Sequence, residues 1–202
     1  MNVPSGSASV PVLERLRAET RPHHDAIETA INLTSATLTL GSYRHTLARF
    51  HGFYRPLEVG MQAAGGWADH GFAVGARWKT SLLEADLRSL GVNDPAALPV
   101  CTDLPPHANL AAAFGCLYVL EGATLGGQII NRALEKSLGI TPQAGSAFFH
   151  GYGERTGTMW RAFRAALTAF AVTPCDRDEV VEAAKDTFST LHRWVETGKN
   201  HP

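Results

Sequence analysis

The chain has 202 residues, of which 45% are hydrophobic and 18% are charged, so it holds enough apolar residues for the core of one domain. Its formal net charge of −1 excludes a bulk electrostatic attraction to nucleic acid or to an anionic membrane surface. The three cysteines form no CxxC pair, which disfavours a disulfide framework and a thiolate metal site and indicates a reduced, cytoplasmic setting.

Both ends of the chain are predicted to lie outside the folded domain. We expect a disordered tail over residues 1–10, a helical domain over residues 11–197 and a second tail over residues 198–202. The first ten residues lack the basic region and the apolar run of a signal peptide. We also find no run of about 18 apolar residues, the length that a membrane span requires.

Apolar residues recur at helical spacing along the chain, and no segment alternates as a strand would. The first helical stretch extends from Leu13 to Ile31 and is interrupted at Pro22. At this point either Thr20 caps a new helix, with the proline in its first turn, or one helix kinks.

Later helices are predicted over residues 43–64, 77–90, 107–138, 158–170 and 176–195. Ser42 is the predicted cap of the first of these helices, and Asp176 with Glu179 forms the predicted capping box of the last. Residues 92–106 and 140–153 are rich in proline or glycine and are predicted to be loops. The sequence therefore predicts one all-α domain of about six to eight helices.

Three glycines lie inside the strongly helical segment from Leu117 to Ile130. Gly122, Gly126 and Gly127 each cost about 1 kcal/mol relative to alanine in a helix interior, so some contact should offset this cost. Either a closely packed second helix or a flat ligand lying on the backbone would make use of the missing side chains. A phosphate-binding loop is disfavoured, because no strand precedes the glycines and no Lys-Ser or Lys-Thr pair follows them.

A second informative segment lies near the N-terminus. His24 and Glu28 are four residues apart and share one helix face, as do Arg17 and Arg21. A neutral imidazole can bind a metal through one nitrogen while the other donates a hydrogen bond, and two arginines can bind two carboxylates of a planar ligand. Taken alone, a histidine on a helix is more often a surface or core residue.

The two segments together resemble the haem oxygenase family, most closely its bacterial branch that supplies biliverdin to phytochromes. The motif LRxxTxxxHxxxE at residues 16–28 is similar to the family's proximal helix, and GxxxGGQ at residues 122–128 is similar to its distal helix. The run AKDTF at residues 184–188 is similar to the last core helix. This resemblance implies a single-domain, all-α haem-oxygenase-like helical bundle, with haem between the proximal and the distal helix.

Carried over residue by residue, the resemblance implies that His24 is the axial ligand of the haem iron and that Glu28 is its neighbour. The distal backbone over the other haem face would comprise Gly122, Gly126 and Gly127. The resemblance further implies that the haem propionates meet basic or polar residues, namely Arg17, Arg21, Tyr118, Arg161 and Arg164. It also implies that Phe188 lines the haem pocket.

The sequence departs from the family at one position. Many members carry an aspartate directly after the first distal glycine, where it orders the waters that supply protons, and this chain has Ala123. Proton supply must then use other groups, namely ordered waters, the Thr124 hydroxyl, Glu121 or Gln128.

The implied activity is the oxidative cleavage of haem b to biliverdin, expected as the α isomer, with release of CO and ferrous iron. It requires O2 and external electrons, and because no flavin or nicotinamide motif is present we expect an electron-donor protein, a ferredoxin or an NAD(P)H-dependent reductase. The resemblance also implies a bacteriophytochrome as a recipient of the biliverdin, and no nucleic-acid or membrane partner. A haem carrier or sensor that does not degrade haem is the alternative, and a relative without haem, such as a hydrolase or a non-haem oxidase, is a further one.

Overall fold

A computed structural model describes residues 10–199, and within this range the chain is helical and contains no strand. The α-helices in chain order are α1 (Val12–Glu19), α2 (Arg21–Ile31), α3 (Leu40–Ala63), α4 (Thr80–Ser89), α5 (Leu110–Leu138), α6 (Ala147–His150), α7 (Thr156–Phe170) and α8 (Pro174–Lys199). The all-α prediction is confirmed. The predicted tails lie outside the described residues at positions 1–9 and 200–202, whereas α8 continues past position 197 to Lys199.

Two predicted helix caps are wrong, each by three residues. Thr39 caps α3: its hydroxyl accepts a hydrogen bond from the Ser42 N–H, and the Ser42 hydroxyl accepts one from the Thr39 N–H, both at 3.1 Å. Thr173 and Asp176 form the same reciprocal pair at the start of α8, again at 3.1 Å. A capping box places a polar residue at both of its ends, and the sequence analysis took the inner residue for the cap.

Glu179 does not take part in a capping box. Its carboxylate accepts a hydrogen bond of 2.5 Å from the side-chain amide of Asn109, whose own oxygen caps α5 by accepting from the Ala112 N–H. Glu179 therefore connects α8 to the start of α5.

The junction between α1 and α2 is almost continuous helix. Pro22 lies in the first turn of α2, as one of the two predicted alternatives requires. The Thr20 side chain, however, caps nothing: its hydroxyl donates to the Leu16 carbonyl at 2.7 Å. Backbone hydrogen bonds from Thr20 to Leu16 and from His24 to Thr20 span the junction, so α2 continues α1 with a slight break.

The predicted loop over residues 140–153 contains the short helix α6, whose start is fixed from a distance. The buried Asp86 of α4 accepts hydrogen bonds from the backbone N–H groups of Ala147 and Phe148 at 2.7 and 2.8 Å. A carboxylate that satisfies the free N–H groups of a helix start acts as a cap. Because Asp86 lies 61 residues before Ala147, no local sequence pattern reveals this cap.

Helix α5 forms the centre of the core. A Cβ on Gly115 would overlap the Val180 carbonyl and lie 2.7 Å from the Ala183 Cβ, so this glycine lets α5 and α8 approach closely. Farther along the same helix, a Cβ on Gly127 would overlap the Phe149 carbonyl of α6. Small residues at both places therefore fix the distance of α5 from its neighbours.

Among the described residues, α5 is also long and apolar enough to cross a membrane, with a mean hydropathy of 1.4 over 18 residues. This finding differs from the sequence analysis, which found no such run. Since 61% of that window is buried inside the protein, its apolar character matches that of a core helix.

The Asp86 cap yields a testable expectation. Asp86→Ala should lower the free energy of unfolding by about 2–4 kcal/mol, because it leaves two backbone N–H groups near the core without an acceptor. Urea unfolding followed by circular dichroism measures the change. Asp69→Ala, at an exposed position, is the matched control and should change stability by less than about 0.5 kcal/mol. Equal stability of the two variants would show that α6 does not depend on the carboxylate.

Candidate functional site

A cavity of about 550 Å³ lies between α2 and α5, within the usual range of about 300–1,000 Å³ for small-molecule sites. Its lining is mostly apolar. Helix α1, the junction and α2 contribute Arg17, Thr20, Arg21, His24, Ile27, Glu28 and Ile31, and α5 contributes Tyr118, Val119, Gly122, Ala123, Leu125, Gly126 and Ile130. The remaining walls are formed by Phe50, Tyr54, Phe148, Phe149, Trp160, Phe188 and Leu191.

His24 is the metal-ligand candidate on the α2 wall. Its side chain is 46% exposed, and its ring meets Phe188 edge to face at 5.9 Å between centroids. Its Nδ1 atom lies 3.6 Å from a Glu28 carboxylate oxygen and 3.8 Å from an Asp25 carboxylate oxygen. The carboxylates therefore occupy the Nδ1 side of the ring, which leaves Nε2 for a ligand on the other side.

These three side chains also form the one group within residues 10–199 whose spacing could hold a metal ion directly, with ligand atoms within 4.8 Å of one another. The sequence analysis did not identify this group. All three residues are exposed, and exposed carboxylates next to a histidine are common on helices.

The α5 wall presents bare backbone. A Cβ on Gly122 or on Gly126 would meet no atom within 4 Å, and both glycines line the cavity. The two contacts predicted to offset the cost of these glycines, a flat ligand surface and close helix packing, therefore both occur, at different positions. Gly122 and Gly126 leave a flat, open surface for a ligand, whereas Gly127 allows close packing against Phe149 and is not part of the cavity wall.

Positive charge lies at one end of the cavity, where Arg17 and Arg21 are exposed and line its wall. Arg21 is held by Asp25, with a nitrogen–oxygen distance of 2.9 Å. Tyr118 is half-buried beside them, and burial raises the pKa of its hydroxyl, an effect that a Thr20 hydrogen bond and the Arg17 charge oppose. This end of the cavity suits the carboxylates of a ligand.

The structure does not bring every predicted site residue to the cavity. The Thr124 hydroxyl donates to the Glu121 carbonyl at 2.6 Å, and this side chain lines a second, much smaller cavity behind α5. Arg161 and Arg164 are exposed on α7, where Arg161 donates to the Thr158 hydroxyl at 3.2 Å. Neither arginine is among the lining residues of the large cavity.

Several lining residues were missed by the sequence analysis. Phe148 and Phe149 lie in a predicted loop, and Phe50 and Tyr54 lie on α3, where they were assigned only to the apolar face of a helix. A helical apolar spacing is the same for a residue that faces the core and for one that faces a ligand, so sequence alone could not separate them.

Two other histidines near the site, His23 and His51, do not line the cavity. His23, next to His24, lies 3.2 Å through Nδ1 from the Ser189 hydroxyl of α8. His51 is fully buried on α3, where burial lowers the pKa of its imidazole, and it is not among the cavity residues.

A buried cluster of charged groups lies directly behind the glycine surface. Glu121, which precedes Gly122, is 1% exposed and accepts hydrogen bonds from the Arg77 guanidinium and, at 2.5 Å, from the Tyr152 hydroxyl. The Lys79 ammonium lies 3.7 Å from the same carboxylate. Glu58 of α3 accepts from the backbone N–H of Lys79 at 2.6 Å. Among these residues the sequence analysis singled out Glu121 alone.

The residues of the cavity fit a haem. His24 offers a nitrogen ligand on one wall. The opposite wall has no side chain at Gly122 and Gly126, which face open space. Apolar and aromatic side chains surround the middle, and arginines lie at one end. A flat, apolar ring with two carboxylates and a central metal matches each of these features.

Comparison with known proteins gives a consistent result. The family model described as Heme oxygenase matches residues 10–197. A heme oxygenase of Xanthomonas campestris pv. campestris (strain 8004) is 34% identical over 126 residues, which cover 59% of this chain and 70% of that protein.

Solved structures of similar fold include the NO- and CO-bound heme oxygenase of Neisseria meningitidis, with a TM-score of 0.81 and 21% identity over 94% of this chain and 92% of that one. The heme oxygenase of Leptospira interrogans has a TM-score of 0.77 and 16% identity, over 93% of this chain and 100% of that one. The fold is thus shared at low identity, and the family match covers almost all described residues. The chain belongs to the haem oxygenase family and is an enzyme of that family.

Proposed function

We propose that this enzyme cleaves haem b to biliverdin, as the α isomer, with release of CO and ferrous iron. The observation that carries the proposal is the arrangement of His24 and the bare backbone of Gly122 and Gly126 on opposite walls of one cavity. The heme oxygenase-1 of Synechocystis, whose structure is a complex with heme, supports it: that fold is similar to this one with a TM-score of 0.74.

Bound haem would supply both the iron at which O2 is reduced and the ring that is cut. His24 would hold the iron through Nε2. The Glu28 carboxylate, 3.6 Å from Nδ1, would favour the tautomer that carries its hydrogen on Nδ1. A neutral imidazole ligand favours O–O bond cleavage less than a thiolate does. Phe188 would fix the orientation of the His24 ring by its edge contact.

The distal wall would leave room for a small gas molecule. With no side chain at Gly122 and Gly126, α5 can lie close to the ring face and still admit O2. Arg17 and Arg21 would bind the propionates, because a guanidinium pairs with a carboxylate through two parallel hydrogen bonds. By binding the propionates, Arg17 and Arg21 would help to select which carbon of the ring is cut.

The remaining requirements are met from outside the chain. We propose that electrons come from a ferredoxin or an NAD(P)H-dependent reductase, that the enzyme works in the cytoplasm and that a bacteriophytochrome can receive the biliverdin. The absence of a flavin or nicotinamide motif supports an external donor.

The ligand assignment is tested by His24→Ala. Wild-type apoprotein mixed with hemin should give the absorption spectrum of an imidazole-ligated haem, and the variant should lose this spectrum and bind hemin at least about tenfold more weakly, a change of about 1.4 kcal/mol. His23→Ala is the control for a neighbouring imidazole and should keep the wild-type spectrum. An unchanged spectrum in His24→Ala would refute the assignment.

The distal assignment is tested by Gly126→Leu. The side chain would project into the open space above the ring, so turnover with ascorbate and O2 should fall by at least about 100-fold, or about 2.7 kcal/mol. Because the position is open, the fold should persist, and leucine should if anything stabilise the helix by up to about 1 kcal/mol. Arg132→Leu, exposed on the same helix, is the control. A green product at the wild-type rate from Gly126→Leu would place O2 elsewhere, and a Soret band that persists in the wild-type protein would indicate a carrier.

A further inference from the structure

Lys79 is a buried ammonium group placed behind the distal helix. Its side chain is 4% exposed, and Nζ donates to the Arg77 carbonyl at 2.7 Å and lies 3.8 Å over the ring of Tyr152. The charged groups that face it are the carboxylates of Glu58 and Glu121 and the guanidinium of Arg77. An ammonium has three hydrogens to donate, of which one goes to the Arg77 carbonyl and one faces the Tyr152 ring. The Glu121 carboxylate, at 3.7 Å, lies beyond a direct hydrogen bond, so the third hydrogen can bind a further acceptor.

The small cavity behind α5 lies at this lysine. It measures about 10 Å³, close to the minimum of about 10–15 Å³ that one water molecule needs. Its lining is made by Lys79, Leu120, Ala123, Thr124, Phe148 and Phe149, of which Lys79 and Thr124 carry the polar side chains. The Thr124 hydroxyl donates its hydrogen to the Glu121 carbonyl, and its oxygen remains free to accept from a water.

Ala123 lies between this small cavity and the large one, since it lines both, as do Phe148 and Phe149. It occupies the position at which many haem oxygenases carry an aspartate. The methyl group is too small to fill the space that a carboxylate would occupy. Position 123 therefore borders the one buried ammonium of residues 10–199 that lies behind the distal wall.

We propose that Lys79 holds a water molecule in the small cavity, and that this water supplies protons, past Ala123, to the distal side of the large cavity. The proposal rests on the proposed function. Lys79 is a positioning residue, because it acts through the water. In the transfer the water gives one proton to a water molecule of the large cavity and takes one from the Lys79 ammonium, and the resulting amine regains its proton from solvent.

The electrostatics of the cluster support this role. Burial lowers the pKa of Lys79 to about 8, although Glu121 and Glu58 oppose the shift. The group is then mostly charged below pH 8 and neutral above it. A proton donor works best when its pKa lies near the working pH, and an ordinary lysine, at about 10.4, lies too far above neutrality to give up its proton readily.

The wild-type apoprotein provides the first test. A crystal structure at high resolution should contain a water within hydrogen-bond distance of Lys79 Nζ and beside Ala123. In a ¹⁵N-lysine NMR titration, the resonance that Lys79→Met removes should titrate near pH 8. An empty small cavity would overturn the proposal, and so would a lysine that titrates near its ordinary value. Neither measurement depends on haem turnover, and the crystal structure needs no variant.

The second test uses turnover across pH. Lys79→Met should bind hemin within about twofold of the wild type but degrade it at least about tenfold more slowly at pH 7. Its pH profile should lose the fall near pH 8 that the wild type is expected to have. Adding Ala123→Asp to Lys79→Met should restore much of the rate, because it returns a water-ordering carboxylate to the same place. Lys136→Met, at an exposed position on α5, is the control for loss of a lysine.

The outcomes separate the two proposals. If wild-type protein binds no hemin, the proposed function fails. If wild-type protein degrades haem and Lys79→Met matches it at every pH, the function stands and the role of Lys79 is refuted. A rate that falls in Lys79→Met and returns with Ala123→Asp supports the role of the lysine, since a general loss of stability would not be rescued by a carboxylate at that position.

Discussion

Helix α5 is held close to two other backbones, by Gly115 against α8 and by Gly127 against α6. Between these contacts it presents Gly122 and Gly126 to the cavity. Glycines therefore have two kinds of role on this helix. Gly115 and Gly127 fix its position, and Gly122 and Gly126 keep the face toward the cavity free of side chains. A ligand site built on backbone has no side-chain freedom with which to adapt, so its geometry depends on how rigidly the helix is placed. The close contacts on either side supply that rigidity.

The buried cluster behind the glycines contributes in a different way. Glu121, the residue before Gly122, accepts hydrogen bonds from Arg77 and Tyr152. The position of the helix at the cavity is therefore fixed by hydrogen bonds as well as by packing. Buried ion pairs add little net stability, because desolvation offsets the attraction between the charges. Removing one partner is costly all the same, since it leaves a charge buried without compensation. Such a cluster therefore fixes one arrangement of the helix more than it stabilises the fold.

Much of this architecture could be predicted from the sequence, and the reasons differ between elements. The long helices follow from apolar spacing. His24 and Gly126, which both line the cavity, could be predicted as site residues because their motifs are local, each within one helix. The caps at Ser42 and Asp176 were misplaced, since a capping box is nearly symmetrical in its polar residues. Helix α6 was missed because its cap, Asp86, is remote in sequence.

The site shows the same division between local and distant contacts. Gly122 and Gly127 belong to one motif and cannot be told apart in sequence. Gly127 faces the backbone of Phe149, whereas Gly122 faces open space, and this difference depends on where Phe149 lies in the fold. Lys79 and Arg77 lie about forty residues before Glu121 and carry no motif of their own. Contacts of this kind depend on how helices pack, which a pattern within one helix does not determine.

Alanine at position 123 suits the charge of its surroundings. The buried cluster contains two carboxylates, Glu58 and Glu121, and two cations, Arg77 and Lys79, so its charges already balance. A carboxylate at position 123 would stand beside the small cavity and add a third negative charge facing Lys79. It would raise the pKa of the lysine and hold the ammonium as an ion pair, which removes both its mobility and its capacity to release a proton. A small apolar residue at position 123 therefore leaves the lysine without a third carboxylate beside it. The alanine and the buried ammonium are two parts of one electrostatic arrangement.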